Sequence, residues 1–265
     1  MRASSLYRRS YPDRYVAPHC RRESWTVSID NQCAQYISIQ MDVPALGHCQ
    51  ARQYSLSDAP WPDYYRVSEA GLNPMNPDAA AHPGLISNMM HDMKKEGDIV
   101  RVSHPMGDFF LDPKTADDEA PVVLLSAGVG LTCLTSILNM LIALHSKRPI
   151  SWIHGARSTD VRAFAKHIKD IRRARDNMNV ALFNARPTGR DVKGVDYHYE
   201  GRIDLDKMDK GRDLFFGVER TQYYVCSPTQ FMVDMERVLR GYDVDASKIH
   251  MERFGTGGMP TAYKA

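Results

Sequence analysis

From Gln35 to Leu111 apolar and polar positions alternate with a period of two. Tyr36-Ile37-Ser38-Ile39-Gln40-Met41, residues 53–57 after a turn at Leu46-Gly47, Tyr64-Tyr65-Arg66-Val67 and Ile99-Val100-Arg101-Val102 read as short strands. Short strands separated by turn residues predict an antiparallel barrel or sandwich. One helix interrupts them, starting near Gly84 or Ser87 and ending at Glu96-Gly97-Asp98; its Met89, Met90 and Met93 at helical spacing read as core filling. From Pro121 the pattern changes. Strands at 122–126, 150–154, 179–183, 222–226 and 248–252 alternate with helices at 131–146, 159–174 and 229–240, and a weaker helical piece lies at 205–209. This alternation predicts a parallel sheet with helices on both faces, and the loop from Asp112 to Ala120 is the expected boundary.

The stretch from Ala120 to His145 carries no formal charge and is long enough to span a bilayer as one helix. Its β-rich Val-Val-Leu-Leu run, Gly128-x-Gly130 and scattered Ser, Thr and Asn read instead as a buried strand, a glycine turn and a helix, so no membrane span is expected. Residues 1–24 differ from the rest: six arginines lie among Ser and Tyr, with Asp13 the one acid before Glu23. They read as a disordered tail, with an organelle-targeting segment as the alternative to a cytoplasmic chain. The 265 residues hold 34 Lys and Arg against 32 Asp and Glu, a net +2 that excludes a strongly basic nucleic-acid binder as a whole-protein reading. The odd, scattered cysteines Cys20, Cys33, Cys49, Cys133 and Cys226 contain no C-x-x-C pair and indicate neither a disulfide framework nor a zinc site. His91, His104 and His154 likewise have no metal-ligand spacing.

Two segments suggest chemistry. Ser126-Ala127-Gly128-Val129-Gly130-Leu131-Thr132 sits between an apolar strand and an apolar helix, where glycines let the backbone approach a pyrophosphate and the helix start offers unpaired N–H groups. Cys133 stands where the third glycine of a G-x-G-x-x-G fingerprint belongs, so a plain tight turn is the competing reading. In Arg52-Gln53-Tyr54-Ser55, alternation sends Arg52 and Tyr54 to one face, a guanidinium fork for phosphate beside a ring for stacking a flat heterocycle.

Residues 35–258 closely resemble the FAD- and NAD-binding reductase part of flavohaemoglobins, within the ferredoxin-reductase-like superfamily. The resemblance rests on Arg-Gln-Tyr-Ser-Leu-Ser-Asp-Ala-Pro (52–60), Gly-Leu-Ile-Ser-Asn (84–88), Gly-Asp-Phe-Phe (107–110), Ala-Gly-Val-Gly-Leu-Thr (127–132), Tyr-Val-Cys-Ser-Pro (224–228) and Met-Glu-Arg-Phe-Gly (251–255). It implies a shortened antiparallel FAD-binding barrel over 25–115 and an α/β NAD(P)-binding domain over 120–258. It further implies that Arg52 holds the FAD pyrophosphate, Gln53 belongs to the cofactor-binding set, Tyr54 packs on the flavin and Ser55 places a hydroxyl near flavin N5. Ile86, Ser87 and Asn88 would open the helix that caps the FAD phosphates. Gly128, Gly130 and Thr132 would shape the nicotinamide nucleotide site, with Cys226 and Pro228 near the nicotinamide and Glu252 and Phe254 in the C-terminal segment by the flavin.

The implied activity is hydride transfer from NAD(P)H to FAD and onward electron transfer to an acceptor, the reductase half of a nitric oxide dioxygenase. Its alternative is a remnant that no longer retains FAD. The family's globin has no counterpart in these residues, so no haem is expected in this chain, and a separate haem protein or other acceptor is the expected partner. Three departures stand out: Cys33-Ala34 where the family has Pro-Gly, Cys133 where it has Pro, and Ser227 where it has Gly. Ser227 raises the expectation of a crowded nicotinamide. Arg157 and Ser158 after the second parallel strand suit a 2′-phosphate, whereas the resemblance points to NADH, which is slightly favoured; Asp160 reads as a helix start.

Overall fold

The computed structural model describes residues 2–10, 16–21, 32–68, 85–113 and 119–252. They fall in two compact units, Met1–Asp112 with Thr135–His145, and Pro113–Leu134 with Ser146–Ala265.

In the first unit six strands, β1 (Arg2–Ser10), β2 (Val16–Arg21), β3 (Tyr36–Val43), β4 (His48–Ser55), β5 (Tyr64–Arg66) and β6 (Ile99–Val102), form an antiparallel sheet in the order β4-β3-β6-β1-β2-β5. A bridge between Leu56 and Val67, with the Ser57 N–H donating to the Arg66 carbonyl at 2.8 Å, joins the two end strands and closes the sheet into a barrel. Closure satisfies the backbone groups that two free edges would expose. Alternate residues of β3 and β6 (Ile37, Ile39, Met41, Val100, Val102) fill the interior with Ile86, Met89 and Met90 of α1 (Leu85–Met93). Met93, expected in the core, is the last residue of α1 and is 60% exposed.

The segment expected to be a disordered tail supplies β1 and β2, paired to β6 and β5. Its arginine-rich composition speaks of solvation, whereas strand pairing is decided by backbone N–H and C=O groups on β5 and β6 that need partners. β4 likewise starts five residues before the expected strand: His48-Cys49-Gln50-Ala51-Arg52 lacks an apolar alternation, and its pairing to β3 across the turn at Gly47 (φ 67°) defines it.

The second unit is a parallel sheet of β7 (Val122–Ala127), β8 (Ile150–Ala156), β9 (Met178–Asn184), β10 (Tyr199–Glu200), β11 (Gln222–Cys226) and β12 (Ile249–Glu252) in the order β10-β9-β8-β7-β11-β12. Helix α2 (Leu131–Ala143) starts in this unit and ends in the first; α3 (Ala165–Ala174) and α4 (Thr229–Gly241) follow. Val123, Leu125, Ile153, Ala181, Phe183, Tyr223 and Val225 line one sheet face and pack with Met232, Met235 and Leu239 of α4. Leu124 and Trp152 alternate to the opposite face and are fully buried, the pattern of strands covered on both sides. Around β7 the strand order reverses, with β8 on one side and β11 on the other, which creates a topological switch point at the carboxyl ends of β7 and β11.

The helix expected over 159–174 is broken. A single 3-10 turn, Thr159–Val161, precedes an extended Arg162 and a left-handed Phe164 (φ 55°) before α3 begins. Burial of Ala163 and Phe164 outweighs helix continuity there. The weak piece at 205–209 is one turn, Leu205–Lys207, whose start is capped by the Asp204 side chain. Among the described residues no helix is long and apolar enough to cross a membrane.

Candidate functional site

In the first unit, antiparallel pairing sets Tyr54 opposite Ile37 and Arg52 opposite Ile39. Directly opposed residues share a face, so both side chains start on the barrel's inner side. Tyr54 is half-buried, and its hydroxyl meets the Ser87 Oγ at 2.9 Å, which ties β4 to the first turn of α1. Arg52 emerges at the exposed end; its guanidinium donates to the Ala51 carbonyl at 2.8 Å and reaches Gln50 Oε1 at 3.4 Å, neutral acceptors that a phosphate can displace. Gln53 is exposed and Ser55 buried on the other face. Ile86 is a core residue, so at the start of α1 it offers its backbone N–H; Ser87 and Asn88 are half-buried. A guanidinium, a half-buried phenol and a helix start fit a flavin nucleotide.

The loop after β4 is held by a residue to which the sequence reading gave no role. Asp58 accepts from Arg66 Nη1 (3.1 Å), the Tyr64 hydroxyl (3.0 Å), the Ala59 N–H (2.9 Å) and Asn139 Nδ2 (2.8 Å). The Ser136 hydroxyl donates to the Asp58 carbonyl and accepts from the Ala34 N–H at 2.8 Å. Ala34 itself is left-handed (φ 60°), a conformation that glycine adopts more readily than alanine. Only the acid inside the 52–60 motif was visible in sequence; its partners, up to 81 residues away, were not.

In the second unit, Gly128–Gly130 form a 3-10 turn leading directly into α2. Gly128 is left-handed (φ 57°), and a Cβ on Gly130 would lie 1.9 Å from the Cys226 carbonyl oxygen. The two segments at the switch point thus touch backbone to backbone. The Thr132 hydroxyl donates to the Val129 carbonyl at 3.1 Å and stiffens the turn. Cys226 is fully buried and pairs with Glu252 across β11 and β12. Burial above all, with the Cys133 thiol and the Glu252 carboxylate nearby, raises the Cys226 thiol well above its ordinary pKa, so it is neutral. Ser227 does not project into open space: it is buried, and its hydroxyl donates to the Ala127 carbonyl at 3.2 Å. Pro228 is exposed at the start of α4. Phe254 lies outside the described residues.

At the end of β8, Arg157 is exposed and Asp160 lies within the Thr159–Val161 turn, where the Thr159 hydroxyl accepts from Asn184 Nδ2 at 2.9 Å. His154, two residues before the end of β8, is buried with its Nδ1 2.9 Å from the Ser126 Oγ. Burial, and then the Arg162 charge, push its pKa down to about 3, so it serves as a neutral hydrogen-bonding core residue. Among the described residues no group of three or more His, Cys, Asp or Glu side chains could hold a metal ion.

Residues 124–237 match the oxidoreductase NAD-binding domain family. The chain is 42% identical over 226 residues to the flavohemoprotein of Bordetella pertussis, which covers 85% of this chain and 53% of that protein. It is similar, with a TM-score of 0.79 and 26% identity over 96% of this chain and 98% of the other, to the flavohem-like FAD/NAD-binding domain of nitric oxide dioxygenase from Vibrio cholerae O1 biovar El Tor. The cytochrome b5 reductase domain of Ulva prolifera nitrate reductase shares the fold alone (TM-score 0.77, 16% identity, 95% and 97% covered). An antiparallel barrel and a parallel sheet with a glycine turn at its switch point define an oxidoreductase of the ferredoxin-reductase-like class. Within that class the chain belongs to the reductase part of the flavohaemoproteins, and it spans about half the length of the curated relatives it matches.

Proposed function

We propose that the first unit holds FAD, that the second holds a reduced nicotinamide nucleotide with NADH favoured over NADPH, and that the chain serves as the reductase half of a nitric oxide dioxygenase. Bound FAD would supply the chemistry, taking a hydride and giving up electrons singly to an acceptor such as a haem. The protein's residues bind and orient. Arg52 would neutralise the pyrophosphate, the α1 start would donate N–H groups to it, and Tyr54, fixed by Ser87, would support the flavin ring with Ser55 and Gln53 from the opposite strand face. Gly128, Gly130 and Thr132 would cradle the nucleotide phosphates, while Cys226, Ser227 and Pro228 form the wall for the nicotinamide. Glu252, paired beside Cys226, would hold that wall's charge.

The observation that carries the reading is the Gly128–Gly130 turn at the switch point, where Gly130 packs backbone to backbone on Cys226 while Gly128 and Val129 are exposed at the start of α2. The test is the absorbance spectrum of the protein purified with FAD, before and after NADH. Flavin bands that bleach are expected. Protein that retains no flavin would return the chain to the reading of a non-catalytic remnant.

A further inference from the structure

Helix α3 turns one side to the protein and the other to solvent, and the solvent side is cationic. Ile168 and Ile171 are its buried residues. Lys166, Lys169 and Arg173 follow one another at i,i+3 and i,i+4 spacing, which places them in one stripe on the side opposite that pair. All three are exposed, Lys166 at 68% and Arg173 at 69%, and exposed Arg172 flanks them. Tertiary bonds add a fifth cation from another segment. The Arg175 guanidinium donates to the Ser146 carbonyl and Asn177 Nδ2 to the Lys147 carbonyl at 3.0 Å, so exposed Lys147 lies beside the end of α3. Asp170, at the rim of the stripe, pairs with Lys166 and, at 3.9 Å, with Arg173. Among the described residues Lys147, Lys169 and Arg172 pair with no carboxylate.

Folding does not call for this arrangement. Arg172 and Arg173 suit the last turn of a helix, where the dipole is negative, but Lys166 stands in the first turn, at the positive end. Lys169 faces Arg172 and Arg173 at i,i+3 and i,i+4, spacings at which like charges destabilise a helix. Five cations against Asp170 and Asp176 leave +3 on this face, more than the +2 of the whole chain. α3 crosses back from the carboxyl end of β8 toward the amino end of β9, so Arg172, Arg173 and Lys147 lie at the amino ends of the strands. The glycine turn lies at the carboxyl ends, and a partner seated on this face leaves it uncovered.

We propose that the outer face of α3, with Lys147, docks the chain on an anionic lipid bilayer, reversibly and by charge alone. None of the five cations is separated from the next by an exposed apolar or aromatic side chain on the stripe. The face therefore lacks the buried anchors of a protein interface and the stacking rings that hold single-stranded nucleic acid. Clusters of about four to eight Lys and Arg on an amphipathic helix match the negative potential of lipid headgroups. Ile168 and Ile171 are committed to the protein's own core, so nothing inserts among the acyl chains. The attraction consequently falls off within a Debye length and weakens with salt.

The test is co-sedimentation of the whole chain with vesicles of equimolar phosphatidylserine and phosphatidylcholine, against vesicles of phosphatidylcholine alone. Binding to the anionic vesicles only is expected, and its loss at high salt. Lys166→Gln/Lys169→Gln/Arg173→Gln is expected to weaken it by roughly tenfold or more, with the melting temperature and the helical circular dichroism of the wild type. Absence of binding to the anionic vesicles overturns the proposal, and so does equal binding to neutral ones. A folded triple variant that binds as the wild type does also overturns it and moves the contact to another basic segment, the arginines among residues 1–24 first. A wild type that ignores vesicles yet is retained by polyglutamate or by duplex DNA overturns the bilayer in favour of an acidic protein or a nucleic acid.

Discussion

Gly130 stands so close to Cys226 that a methyl group on it would overlap the Cys226 carbonyl oxygen at 1.9 Å, its carbon at 2.3 Å and the Ser227 nitrogen at 2.8 Å. These are backbone atoms in a packed sheet, which cannot swing aside as a flexible side chain does. Gly130→Ala is expected to destabilise the second unit by about 1–3 kcal/mol and to lower NADH-driven flavin reduction without releasing FAD. Gly128→Ala is the contrast: its left-handed φ of 57° costs about 1–2 kcal/mol, yet no atom lies within 4 Å of the new methyl. Stopped-flow rates and urea midpoints for the pair check this. Equal rate losses would show that conformation rather than close approach matters.

Ser227→Gly is expected to bring no gain in flavin reduction. The serine departure suggested crowding, but the hydroxyl is turned inward and donates to the Ala127 carbonyl. Removing it deletes one hydrogen bond between the ends of β7 and β11, a loss of about 1 kcal/mol. A faster variant in stopped-flow reduction would reinstate crowding.

Arg52→Ala is expected to weaken FAD binding roughly 10- to 150-fold, the equivalent of a charge-assisted contact of about 1.5–3 kcal/mol. The side chain is exposed and bonded only to neighbouring strand atoms, so the flavin-free variant should melt with the wild type. Flavin retained at wild-type stoichiometry on dilution would remove Arg52 from the site.

Acid should loosen the second unit through His154. Its folded pKa of about 3 lies below the ordinary value of 6.5, so the unfolded chain takes up the proton first. The stabilisation is complete above pH 6.5 and is lost as pH falls from there toward 3. Between pH 8 and pH 5.5 the loss is on the order of 1 kcal/mol. Urea unfolding of wild type and His154→Asn at both pH values isolates it from His198 and His250, which burial shifts the same way. Identical slopes would mean that His154 is solvated.

NADH is expected to be the better nucleotide, and Arg157→Ala to leave its kcat/KM within about twofold, the ordinary margin for an exposed side chain. A wild-type preference for NADPH that this substitution abolishes would assign Arg157 to the 2′-phosphate.

The two-unit plan was legible in the sequence because its signals are local. A period of two over Tyr36–Val43, unbroken apolar strands such as Val122–Ala127 and Ile150–Ala156, and glycines between β7 and α2 each depend on residues a few positions apart. The Tyr54 and Arg52 face followed from strand alternation alone. Tertiary structure decided what depends on partners remote in the chain. It made strands of Arg2–Ser10 and Val16–Arg21 through pairing to β6 and β5, broke the expected helix at Phe164 to bury it, turned the Ser227 hydroxyl inward, gathered Arg66, Tyr64 and Asn139 around Asp58, and set Gly130 against the Cys226 backbone. Backbone pairing, side-chain burial and hydrogen-bond satisfaction are properties of the space around a residue. Composition and periodicity record the residue's neighbours in the chain, and these are different neighbours.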